Sequence, residues 1–264
     1  GTSRKNHSEV GSSYIHFNFT PNQDKATASL IGDVPKGVML NQKPIFLGGQ
    51  GGLVGPCRLG FGNTVAAGTI VRKDEVRSNR LIFGREGKAG NVAFTPGSFR
   101  SDKRILMNNI IYIANLMALK QWYQQVRTLF VSASFPEALH FGLIQKVNLA
   151  IEERIKRLEA VCRKDPATDQ ETKISEPKQQ KYDIYERWPK LKDAFNGLIE
   201  FQGDSKVMDT FLEKVNRDLS TVGKNYIALI QGLDAQDAKM GTRWLQGIVD
   251  MIIAEAQRII PSLS

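Results

Sequence analysis

Between residues 47 and 71 an aliphatic side chain returns every six positions, at Leu47, Leu53, Leu59, Val65 and Val71. A small residue follows at Gly48, Gly60 and Ala66, and a small or short one stands four places on at Gly51, Cys57, Asn63 and Thr69. A helix would return apolar residues every three or four places and a half-buried strand every two. A period of six predicts instead one short strand and one corner per unit, with three units closing a triangular coil. Coils stacked at the ordinary strand spacing of about 4.8 Å pair their backbones and line the interior with aliphatic ladders. Small residues suit the corners, where a larger side chain would meet neighbouring backbone. Val10-Gly11 and Ile31-Gly32-Asp33 read as out-of-frame members of the series, displaced by loop-like text at 20–24 and 38–44. The pattern predicts a parallel β-helix over residues 1–76.

The period changes further along. Residues 77–100 carry Gly, Pro and Ser without an apolar repeat and read as a connector. Ser101-Asp102 supplies a helix N-cap, and Ile105, Ile110, Ile113, Leu116, Met117 and Leu119 follow at helical spacing, predicting a helix to Phe130. A second helix starts at Phe135-Pro136-Glu137, with Leu139, Leu143, Val147, Ile151, Ile155 and Leu158 about four apart. Residues 163–182 are polar and lack a period, so a linker or mobile loop is expected there. Three more helices are expected near 184–201, 205–231 and 235–260. The fold-class expectation is thus a β-helix followed by an all-α domain over 101–264, packed as a bundle, capping the coil or mediating assembly.

Composition adds bounds. The 264 residues are 24% charged and 41% hydrophobic, as in an ordinary folded protein. No apolar run approaches the roughly 18–20 residues of a membrane helix. Two cysteines, Cys57 and Cys162, make no disulfide framework, so a cytoplasmic location is expected. Cys57, at a small position of the repeat, reads as a compact hydrophobe. Of the 23 glycines, 16 fall in the first 100 residues, and so does most of the net charge of +9. A basic, glycine-rich region suits anionic ligands. Nothing in the text has the aromatic interleaving or recognition-helix pattern of a nucleic-acid binder. No glycine fingerprint lies between a strand and a helix, and there is no Walker-type Gly-Lys-Ser/Thr. Three histidines and two cysteines, far apart in sequence, form no metal cluster.

The stretches 16–33, 53–56 and 59–69 resemble the left-handed parallel β-helix of the bacterial UDP-N-acetylglucosamine pyrophosphorylase/glucosamine-1-phosphate acetyltransferase family. The hexapeptide match covers about residues 8–73. The text opening at Gly1 resembles the middle of such a coil, so a longer protein is expected. The resemblance implies a transferase-related protein of nucleotide-sugar metabolism, acetyl-CoA as cofactor, a sugar phosphate or nucleotide sugar as ligand, and a homotrimer. It implies that Asn18 and Lys25 hold the sugar phosphate, on a projecting loop that ends at Ile31-Gly32-Asp33. It places Gly49 and Ala67 at corners where the coenzyme's arm lies against backbone, and Arg72 and Lys73 at its phosphates. The family's base is a histidine, for which His16 and His7 are the candidates, though neither matches the family's spacing and both also read as structural. The loop reads Asn18-Phe19-Thr20-Pro21, without the family's phenol after the asparagine. No nucleotidyltransferase sheet is legible, so pyrophosphorylase activity is not expected in this chain. A non-catalytic scaffold and a sugar-nucleotide binding or regulatory module are the alternatives.

Overall fold

The computed structural model describes residues 12–17, 26–84, 102–162 and 176–263. The first strand, β1 (Ser12–Phe17), pairs antiparallel with β2 (Ala26–Ile31). The short helix α1 (Val34–Gly37) follows at once. Asp33 caps it by accepting from the Lys36 amide at 3.0 Å, and Pro35 sits in the first turn, where a missing N–H costs nothing.

Six two-residue strands come next: β3 (Phe46–Leu47), β4 (Gly52–Leu53), β5 (Arg58–Leu59), β6 (Thr64–Val65), β7 (Ile70–Val71) and β8 (Leu81–Ile82). They pair in parallel, β3 with β6 and β6 with β8, β4 with β7, and β5 with β2. In the first and third of these pairings, Leu47 with Val65 and Leu53 with Val71, the partners are three six-residue units apart. Asn63 staples one corner to the next turn of chain. Its Nδ2 donates to the carbonyls of Glu75 at 3.1 Å and Arg77 at 2.9 Å, and its Oδ1 accepts from the Arg80 amide at 2.8 Å.

The expectation of a left-handed β-helix is corrected by this arrangement. The strands fall into three small sheets, most of the described residues are helical, and no closed or solenoid left-handed β-helix is seen among them. The five in-register aliphatics do not share one environment. Leu59, Val65 and Val71 are buried with Ile31 and Cys57, Leu53 is half-buried, and Leu47 is 40% exposed. The physical reason is competition for apolar surface: Ala28 and Leu30 pack on Tyr112, and Val34, Val38, Met39 and Leu40 join the core of the helices.

That core is built around α2 (Asp102–Gln125). Ile105, Leu106, Ile110, Ile113, Met117 and Trp122 place apolar groups on every side of it, and a helix apolar all round must be covered all round. The covers are α3 (Glu137–Cys162), α7 (Ala235–Ile259), α1 and β2. The remaining helices are α4 (Glu176–Leu198), α5 (Ser205–Val222) and α6 (Tyr226–Gly232). Buried asparagines on α2 return their amides to carbonyls one turn back, Asn109 to Ile105 at 2.8 Å and Asn115 to Ile111 at 2.9 Å. Asn115 keeps its Oδ1 for the buried amide of Val34, at 2.9 Å. One side chain thus satisfies the start of α1 from the middle of α2.

Two helix boundaries differ from the sequence expectation. The helix expected over 205–231 breaks at Gly223, whose φ of +74° is left-handed, and Asn225 starts α6 by accepting from the Ala228 amide at 3.1 Å. Helix α4 begins at Glu176, within the stretch expected as a loop, while 163–175 lies outside the described residues. Replacing Asn115 by Leu is expected to lower stability by about 1–3 kcal/mol, the cost of stranding a buried amide. Urea denaturation checks this, and a loss below about 0.5 kcal/mol would mean that the Val34 amide finds another partner.

Candidate functional site

The glycine-rich turn after β3 meets the turn after β6. A Cβ on Gly48 would lie 2.6 Å from the Val65 carbonyl oxygen and from the Ala66 carbonyl carbon, so only glycine permits this approach. Gly51 is constrained in the same way, 2.6 Å from the Thr69 oxygen. Gly49 is different, because a Cβ there would meet nothing. Its carbonyl accepts from the Gly68 amide at 2.9 Å, and Gly68 turns the chain with φ of +71°. Gly49, Ala67 and Gly68 are all exposed. Together they form a ledge of backbone with almost no side chain, on which an extended, amide-bearing chain can lie and exchange hydrogen bonds with peptide groups.

Arg72 and Lys73 occupy the corner after β7, one strand beyond the ledge, and both are exposed. That corner is clamped from below by Arg104 of α2. Its Nη2 donates to the Pro56 carbonyl at 2.5 Å and the Arg72 carbonyl at 3.0 Å, and lies 3.7 Å from Asp74. Asp74 also holds Arg58, accepting from its backbone amide and its Nε at 3.0 Å each. Glu75 is bound by Arg77, whose hydrogen bond lowers the carboxyl pKa to about 2. The corner therefore keeps its shape with Arg72 and Lys73 projecting from it.

A cavity of about 310 Å3 opens where Gly32, Asp33, Arg58 and Gly60 face Asn115 of α2 and Asp250 of α7. Gly32 forms its rim with φ of +85°, and a Cβ there would fall 2.6 Å from the Phe61 ring. Asp33 pairs with Lys36 at 3.1 Å.

Of the other expected site residues, one lies among the described residues. His16 stands in β1 opposite Thr27. His7, Asn18 and Lys25 lie outside the described residues. His140 is buried in α3, its Nε2 2.8 Å from the Tyr123 carbonyl, where it ties α3 to α2. Cys57 is fully buried. Its amide donates to the Ser29 hydroxyl at 3.0 Å, and burial pushes the thiol pKa up, away from nucleophilic use. No group of His, Cys, Asp and Glu able to hold a metal occurs among the described residues. No helix among them is long and apolar enough to cross a membrane.

Sequence reading marked Gly48 and Gly51 as small positions of the repeat, and both prove to be points of closest backbone approach. It did not identify Arg104, whose role depends on a contact 48 residues away that no local pattern encodes. No family model, curated protein or solved structure matches the chain.

The two neighbouring glycines separate structure from binding. Gly48→Ala is expected to destabilise by about 1–3 kcal/mol, because backbone must part to admit a methyl group. Gly49→Ala should stay within about 0.5 kcal/mol of the parent. Thermal and urea unfolding of both variants check this; equal losses would mean that the ledge is not open at Gly49.

Proposed function

We propose that the chain is a transferase-related protein of nucleotide-sugar metabolism that takes acetyl-CoA along the ledge of Gly49, Ala67 and Gly68. The observation that carries the reading is the ledge itself, a strip of bare peptide groups followed one strand later by two projecting cations. These residues fit the coenzyme. Its pantetheine arm is extended and rich in amides, and its phosphates match Arg72 and Lys73. When bound, acetyl-CoA supplies an acyl group activated as a thioester. The chain's own work is to align that arm against the peptide groups, hold the phosphates and present an amino-sugar phosphate. Asn18 and Lys25 carry the last task by resemblance. Transfer joins the sugar nitrogen to the acyl carbon, breaks the carbon–sulfur bond and releases the thiol. The nitrogen's proton needs an acceptor, and His16 and His7 are the candidates. A cytoplasmic location and assembly as a homotrimer belong to the same proposal; the buried thiols of Cys57 and Cys162 suit the former.

One observation favours binding without turnover as a second reading: Phe19 stands where the resembled family carries a phenol.

The test uses the chain as it stands. Coenzyme A should raise its melting temperature. Acetyl-CoA with glucosamine-1-phosphate should release thiol. Arg72→Ala with Lys73→Ala should weaken coenzyme binding about tenfold, equivalent to about 1.4 kcal/mol. A thermal shift without thiol release selects the binding module. The absence of both a shift and thiol release at millimolar coenzyme would sink both readings.

A further inference from the structure

On the helical side a second cavity, of about 750 Å3, opens between the turn after α2 and the start of α6. Among the described residues its wall contains two cations, Arg127 and Lys224, and no Asp or Glu. Arg127 is held in an unusual way. The carbon of its guanidinium sits 3.8 Å from the centre of the Tyr226 ring and 4.3 Å from that of Phe135. Stacking of this kind occupies the faces of the group and turns hydrogen bonding to its edge, whose five N–H donors let a planar fork meet an oxyanion alongside its partners within the chain. The rings are themselves fixed. The Tyr226 oxygen accepts from the buried Trp122 indole at 3.0 Å, and Phe130 stands edge-on to Tyr226 at 5.1 Å. Lys224 is positioned too, with its Nζ donating to the Val131 carbonyl at 2.6 Å. An ammonium has three donors, so this contact orients the group without exhausting it.

The rest of the wall is mixed. Ser132 and Ser134 place their hydroxyl oxygens 3.2 Å apart, while Ile227, half of it exposed, adds an apolar flank. Leu40 contributes from the other side of the chain. Its φ of +56° is a left-handed conformation rarely adopted by a bulky residue, and its carbonyl accepts from Gln231 at 3.3 Å. A strained residue that lines a cavity is a further pointer to function.

We propose that this cavity binds a small molecule bearing a phosphate or carboxylate on an aromatic or apolar body. The oxyanion meets the edge of Arg127 and Lys224, and the body lies against Phe135, Tyr226 and Ile227. The volume exceeds what a bare inorganic anion fills and suits a molecule of ligand size. The site is independent of the backbone ledge, which lies on the strand-bearing part of the chain.

The experiment is a titration of the full chain, at constant ionic strength, with phenyl phosphate, benzoate, inorganic phosphate and phenol, followed by tryptophan fluorescence and calorimetry. Phenyl phosphate or benzoate should bind, whichever head group the site prefers. Inorganic phosphate and phenol, each carrying half of the recognised chemistry, should bind at least about tenfold more weakly. Arg127→Met keeps the length and apolar bulk of the stack but removes the charge, and should abolish binding. Should that variant fail to fold, Lys224→Glu, a change at an exposed residue, should weaken binding by about tenfold or more. Arg72→Ala with Lys73→Ala should leave it unchanged, which separates this site from the ledge. No binding of either aromatic anion, equal binding of phenol, or binding indifferent to Lys224→Glu would each overturn the proposal.

Discussion

A helix that is apolar on every side persists in water only if something covers every side. Helix α2 imposes that constraint on the whole molecule. Two of its covers are long helices, α3 and α7, as in any bundle. The others come from the glycine-rich part of the chain: β2, through Ala28 and Leu30 on Tyr112, and the α1 region, through Val34, Val38, Met39 and Leu40. The two compositional regimes are therefore joined through one core. The bond from the Val34 amide to Asn115 fixes where they join, since a buried amide without a partner there would cost more than most surface contacts return.

The strand-bearing part leans on that junction. Its own buried cluster is Ile31, Cys57, Leu59, Val65 and Val71, with three half-buried aliphatics around it. So few apolar groups do not stabilise a unit by themselves. Two-residue strands pair with only a few backbone bonds each, and their order depends on the fixed corners between them. Asn63 holds one corner from inside, and Arg104 holds another from the first turns of α2. The ledge at Gly49 and Gly68 is thus presented by a scaffold whose rigidity originates in the helices. Glycine plays two opposite roles there: Gly48 lets backbones touch, while Gly49 keeps a surface bare.

Much of the helical architecture was legible. The apolar spacing of α2, α3 and α7 is strong, and their positions follow from it. The division between α5 and α6 was not, because Gly223 alone, within a continuing amphipathic pattern, is a weak stop signal. The six-residue period was legible as a rule for which residues pair, as with Leu47 and Val65. It did not determine whether the strands wind into a closed coil. That depends on what else competes for the apolar faces, and the winner, α2, lies far away in sequence. The close approaches at Gly48 and Gly51 were readable from the repeat, while Gly49 and Ala67 were named through the family resemblance alone. The Arg127 cavity was not readable, since its walls come from residue 40, residues 127–135 and residues 224–231.

The central claim is that α2 makes the strands and the helices one cooperative body. Two native reporters divide the molecule cleanly. Cys57 is buried among the strands, and Trp122, Trp188 and Trp244 are buried among the helices. In a Cys162→Ala background, urea unfolding followed by tryptophan fluorescence should share its midpoint with the exposure of Cys57 to a thiol reagent. Labelling of Cys57 at clearly lower urea, with the fluorescence still native, would show that the strand-bearing part opens independently, and would contradict the account.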